Sequence, residues 1–270
     1  MKMYDAFETR ALAGQPQDSG LVVDAHGHLG VETAFPQYAA SLDSVLAAMD
    51  RIGIGVLCAS PFLVLSRFAR EGNDVVIEAV RRHPDRFFGY MIAEMGRPES
   101  ILPELERCYE AGLRGIKIHS RSGPPYAHPN YERLYRFAGE RRLPILAHTE
   151  GRPELDDLEP VFERHPDIRF ILAHAGCLAR ERYAAVARRH PQVYLETCVS
   201  QCTRGLIEFF ATEGLAGKLL YGSDMTLIAA EHQIGRIIFA GLPEADKAGI
   251  LGNTARAVLG LAAQPERTTR

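Results

Sequence analysis

The chain has no run of about eighteen apolar residues, so nothing in it reads as a helix that crosses a bilayer. Residues 1–20 lack the basic start and apolar stretch of a secretory signal. Cysteine is sparse, scattered and odd in number: Cys58, Cys108, Cys177, Cys198 and Cys202. A disulfide framework is excluded in favour of a reducing compartment, and the expected location is cytoplasmic. Cys198 and Cys202 also lack the paired spacing of a structural zinc site. Basic excess is missing too. The net charge is -3 and the pI about 6.4, which gives no electrostatic case for nucleic acid or an anionic membrane as a partner.

What is present is a repeating pattern. With 46% hydrophobic residues and 24% charged, the 270 residues can bury a sizeable core. From residue 21 onward, short apolar β-branched runs alternate with amphipathic stretches of helical spacing. The predicted strands are 21–26, 53–59, 86–93, 114–119, 144–148, 168–174, 192–197 and 218–222. The predicted helices are 41–52, 73–83, 99–111, 130–141, 154–165, 178–190, 204–213 and 244–259. Three of them end in His-Pro, at His83, His165 and His190, where proline stops the helix and the histidine is expected to be an exposed C-terminal cap. Eight βα units in one domain predict an α/β fold, a single (β/α)8 TIM barrel. The alternative, an open doubly wound sheet, lacks its glycine-rich phosphate fingerprint after the first strand. The expected organisation is an N-terminal extension over 1–20, the barrel over 21–262, and a tail over 263–270, with both ends loosely held.

The ionisable residues fall at strand ends. Asp24-Ala-His26-Gly-His28, Ile116-Lys117-Ile-His119, Ile145-Leu-Ala-His148, Ile171-Leu-Ala-His174 and Leu219-Leu-Tyr-Gly-Ser-Asp224 each close an apolar run. In a barrel the C-terminal strand ends converge on one mouth, where such folds keep their chemistry. His26 and His28 are two apart, so on extended backbone they face the same way and can grip one ion. His148 adds a third nitrogen and Asp224 an oxygen. Three or four N/O ligands with an open position describe a catalytic divalent ion, which lowers the pKa of water to roughly 7. Asp224 is then both ligand and proton acceptor, and His174 polarises a carbonyl or serves as acid or base. A lone strand-end histidine such as His119 also fits a hydrogen-bonded core residue.

These segments resemble the amidohydrolase superfamily, and within it the branch known as amidohydrolase-related or amidohydrolase 2. The resemblance rests on VVDAHGHLG (22–30), HPDRFFGY (83–90), GLRGIKIH (112–119), LPILAHT (143–149), FILAHAG (170–176), VYLETC (193–198), LLYGSDM (219–225) and ILGNTARAVLGL (250–261). It implies one or two divalent ions, zinc first, with manganese or another divalent ion as alternatives. It implies His26, His28, His148 and Asp224 as ligands, with His174 a catalytic residue at one ion or a further ligand at two. Lys117 matches the lysine that is carboxylated and bridges the ions in binuclear members; the other reading is an uncarboxylated lysine in the mouth. By likeness to the urease segment His119 would contact substrate. Met225 and Thr226 depart from the branch, which often places an aromatic or small residue and then proline after Gly-Ser-Asp.

The expected substrate is a small molecule. Arg121, in the loop 120–129 with Tyr126 and His128, is a candidate for holding its carboxylate by a bidentate contact. Pro61-Phe62-Leu63 and the loop 33–38 would form an apolar wall, and Glu150, Arg152 and Arg204 are further polar candidates. The expected activity is metal-dependent hydrolysis of a C–O or C–N bond in a lactone, ester or amide. The alternative is non-oxidative decarboxylation of a small aromatic acid. Dimers are common in the family, so the resemblance allows a homodimer, though no segment of the chain specifies an interface.

Overall fold

The computed structural model describes residues 3–17, 22–31, 35, 37, 40–65, 68–120, 123–201 and 204–261. Eight parallel strands follow one another around a single sheet: β1 (Val22–Leu29), β2 (Ile54–Pro61), β3 (Phe87–Met91), β4 (Gly115–Ile118), β5 (Ile145–His148), β6 (Phe170–Ala173), β7 (Val193–Glu196) and β8 (Leu219–Leu220). The last strand returns to the first. Ala25 N donates to the Tyr221 carbonyl at 2.9 Å, and Gly27 bridges Met225. The fold is a (β/α)8 barrel, as the alternation predicts.

The helices after the strands are α2 (Leu42–Ile52), α3 (Ala69–Arg82), α4 (Pro98–Glu110), α5 (Tyr131–Arg141), α6 (Arg152–Arg164), α7 (Arg180–Arg189) and α8 (Leu206–Thr212). α2 shows the local logic. Ser41 caps its start by accepting from Ser44 N at 3.2 Å. Val45, Met49 and Ile52 lie on one buried face, and Gly53 ends it at φ +93°. A Cβ on Gly53 would also lie 2.2 Å from the Gln17 carbonyl oxygen, because the segment leading to β1 crosses there. Gly53→Ala is expected to cost about 2 kcal/mol or more, combining a left-handed alanine with backbone overlap. A denaturant midpoint equal to the parent's would refute that.

Two packed layers result. Inside the barrel sit Val23, Ala25, Val56, Cys58, Tyr90, Leu146, Ile171 and Leu220, closed off by Val258 and Leu259. The alternate strand residues, among them Leu57, Ile116, Ile145, Phe170 and Leu195, pack outward against the helices. No helix among the described residues is long and apolar enough to cross a membrane.

Three features differ from expectation. First, the N-terminal extension holds a helix, α1 (Ala6–Leu12), with a capping box between Asp5 and Glu8 and Phe7 buried in the core, while the tail 263–270 lies outside the described residues. Second, the predicted helix 244–259 is three pieces: α10 (Glu244–Ala248), a π turn over Gly249–Asn253, and α11 (Thr254–Leu259); it is preceded by α9 (Ala230–Ile238), which was not foreseen. Gly249 and Gly252 give that stretch low helical propensity where it widens. Third, the His-Pro histidines are caps but not exposed ones. His83 and His165 are half-buried, and His190 is buried with its ring 5.5 Å from Phe162.

Candidate metal centre

Strand alternation delivers part of the site directly. On β4, β5 and β7 the interior positions lead to Lys117, His148 and Glu196. The others need help. In β1 the pairing with β2 slips between Asp24 and Gly27, and this bulge lets His26 and His28 follow Val23 and Ala25 into the mouth. His174 and Asp224 are non-glycine residues with φ +58°, a costly backbone that turns each side chain into the same space.

Three of the predicted ligands meet. The Asp224 carboxylate Oδ1 lies 3.0 Å from His28 Nε2 and 3.6 Å from His26 Nε2. These donors all lie within 4.8 Å of one another, a spacing that a single divalent ion would bridge. Lys117 Nζ is 2.9 Å from His26 Nε2. The His174 ring centroid is 5.1 Å from that of His26. His148 stands one ring further out. Its centroid is 4.9 Å from His174, and it stacks on His119 at 3.8 Å. Among the described residues a second group of ligand atoms converges, from His26, His174, Glu196 and Cys198, and His148 is in neither group. His119 lines the same cavity, whereas Arg121 lies outside the described residues.

The cavity above these groups is about 440 Å3. Phe35 and Phe62 form its apolar wall, with Phe62 edge-on to His28 at 5.0 Å. Glu150 lies on its rim, 3.5 Å from His148 Nε2. Arg152 and Arg204 are exposed. Tyr126 is buried and donates its hydroxyl to the His148 carbonyl at 2.8 Å, so it props up β5 instead of facing substrate.

Electrostatics follow from burial. It drives the His26 imidazolium well below its ordinary range, helped by Lys117 and the other histidines, and it lowers His174. It pulls the Lys117 ammonium down to about 8 against the attraction of Asp224. Burial would raise Asp224, but the hydrogen bond from His28 and the nearby positive charges hold it below the usual carboxylate range. A neutral His26 beside an ionised Asp224 is the pair of protonation states that metal ligation requires.

The outer partners were not foreseen. Ser60, at the end of β2, lies 3.1 Å from His28 Nδ1. Glu196 Oε2 lies 2.9 Å from His26 Nδ1. The His174 Nδ1–H donates to the Cys198 carbonyl at 3.0 Å. Asp24 Oδ1 accepts from His26 N at 3.1 Å and Ser223 N at 3.0 Å, tying β1 to the segment that carries Asp224. Glu196 had a signal: it is a carboxylate ending the apolar run Val193-Tyr-Leu, the same signature that drew attention to Asp224.

Comparison with known proteins agrees with this fold. A γ-resorcylate decarboxylase of Rhodococcus jostii (strain RHA1) is 29% identical over 122 residues, which span 42% of this chain and 36% of that enzyme. A dihydroxybenzoic acid decarboxylase from Polaromonas sp. JS666, with bound manganese and 2-nitroresorcinol, superposes with a TM-score of 0.74 at 18% identity, covering 89% of this chain and 97% of that one. A probable 2-pyrone-4,6-dicarboxylic acid hydrolase from Acinetobacter baumannii superposes with a TM-score of 0.71 at 16% identity, covering 89% and 99%. At such identities the two structures share the fold. The amidohydrolase family model matches residues 23–261, so the chain belongs to the amidohydrolase family of enzymes, in its amidohydrolase 2 branch.

Proposed function

We propose that this protein is a metal-dependent hydrolase of a C–O or C–N bond in a small lactone, ester or amide. The carrying observation is the convergence of His26 Nε2, His28 Nε2 and Asp224 Oδ1 at the floor of a cavity of about 440 Å3. Zinc suits two imidazoles and a carboxylate, and manganese is the alternative. His148 would join the ligands by a ring rotation away from His119. The bound ion would act as a Lewis acid and bring the pKa of water towards neutrality.

The chain's own groups do the rest. His174 donates through Nδ1 to a backbone carbonyl, which leaves Nε2 as an acceptor on the cavity side. Asp224 is the second acceptor. Two acceptors beside the ion suit deprotonation of water. Lys117 is the donor placed to face a developing oxyanion or a substrate carboxylate, and His119 lies where substrate would touch it.

Decarboxylation of a small aromatic acid is the second reading, favoured by the match to γ-resorcylate decarboxylase and by the aromatic wall of Phe35 and Phe62. Zinc-loaded protein offered lactones, esters, amides and hydroxybenzoates separates the two. We expect bond hydrolysis without release of carbon dioxide, abolished by chelation and restored by zinc. Carbon dioxide from a hydroxybenzoate, with no turnover of the other classes, would replace the first reading with the second.

A further inference from the structure

We infer that Glu196 is a positioning residue that fixes the orientation of His26 and His174 towards the metal, and that Gly222 is glycine to make room for it. The inference rests on the metal-centre reading above. Glu196 is fully buried, yet its carboxylate is crowded with donors. Oε2 takes His26 Nδ1–H at 2.9 Å, the His174 backbone N–H at 3.3 Å and the Cys198 thiol at 3.1 Å. Oε1 takes the Cys198 backbone N–H.

A carboxylate only accepts. Burial pushes the Glu196 carboxyl up to about 8, while the backbone N–H groups of Cys198 and His174 favour its ionised form. In that form it accepts from His26, which then carries its proton on Nδ1 with the Nε2 lone pair facing Lys117 and Asp224. Such an outer carboxylate sets both the tautomer and the ring angle of a metal-binding histidine. The same oxygen reaches the backbone of His174, whose left-handed φ of +58° needs an external restraint. The Cys198 carbonyl completes the hold on that ring. One strand end thus orients two imidazoles that lie 148 residues apart in the chain.

Gly222 has no positive φ, so conformation does not demand glycine there. Space does. A Cβ on residue 222 would lie 2.3 Å from Glu196 Oε1 and 2.5 Å from Cδ. Any side chain at this position would push the carboxylate off His26.

The test uses the full chain with zinc. Affinity is measured by competition with a chromophoric chelator, and the low-field proton resonance of His26 Nδ1–H is followed by NMR. Glu196→Gln is expected to bind zinc 10- to 100-fold more weakly and to lose the low-field position of that resonance. Gly222→Ala is expected to weaken zinc binding in the same direction although Glu196 is still present. If the glutamine variant does not fold, Glu196→Asp decides: it keeps the charge but falls short of His26, and should also lose affinity. Folded Glu196→Gln or Glu196→Asp with parental zinc affinity and an unmoved resonance would overturn the inference. A parent protein that takes up no zinc would instead sink the metal-centre reading. The resonance in zinc-free protein then still judges Glu196.

Discussion

Asp224→Asn should reduce turnover at least 10^3-fold while leaving the barrel folded. The side chain brings a carboxylate to the Nε2 atoms of both His26 and His28, and its charge is retained against burial. The amide is nearly isosteric, but it binds a divalent ion poorly and cannot take a proton from water. Losses of this size are typical when a charged group acting directly at the reacting centre is neutralised. Circular dichroism and thermal unfolding check the fold, and elemental analysis separates lost metal from lost chemistry. Turnover within tenfold of the parent would remove Asp224 from the mechanism.

Asp5→Ala should cost about 3 kcal/mol, although residue 5 belongs to no strand of the site. Lys247 of α10 is buried, and its Nζ is held by Asp5 Oδ2 at 2.5 Å and the Ile238 carbonyl at 2.6 Å, with Glu8 at 3.8 Å. Removing Asp5 leaves the buried ammonium to the more distant Glu8 carboxylate and takes away the cap of α1. For a domain of this size that is roughly 5–10 °C in the unfolding midpoint. Lys247→Met should cost less, because no charge is left behind. Adding it to Asp5→Ala should recover part of the loss. The pH dependence has a definite sign. Burial raises the Asp5 carboxyl, but the Glu8 N–H and Lys247 outweigh that and hold it below its ordinary value. Its contribution is therefore present above the unfolded pKa of about 3.9 and disappears as pH falls through the folded value. Parent and variant should converge in stability in acid, and a constant gap down to pH 2 would contradict the assignment.

How much of this was written plainly in the chain differs by residue. The barrel was legible because each βα unit carries its own hydrophobic period, and the strand-end residues were legible because polar groups on apolar strands are rare. Orientation was not. Strict alternation would have sent His174 outward, and only a left-handed φ brings it in. The bulge in β1 leaves no mark in composition. Helix α1 escaped because seven residues in a polar surrounding give little periodicity, although Asp5-Ala-Phe-Glu8 carries a capping signature. The break at the π turn depends on tertiary packing that a helical pattern over 244–259 conceals.

The seam between the first and last strands has a consequence for assembly. Asp24 and Ser223, joined across it, are separated by 199 positions, and the two histidines and the aspartate straddle the same join. An ion gripping both sides would act as a clasp on that long loop. Occupancy would then report that the ring has shut, and saturating zinc would raise resistance to unfolding by mass action.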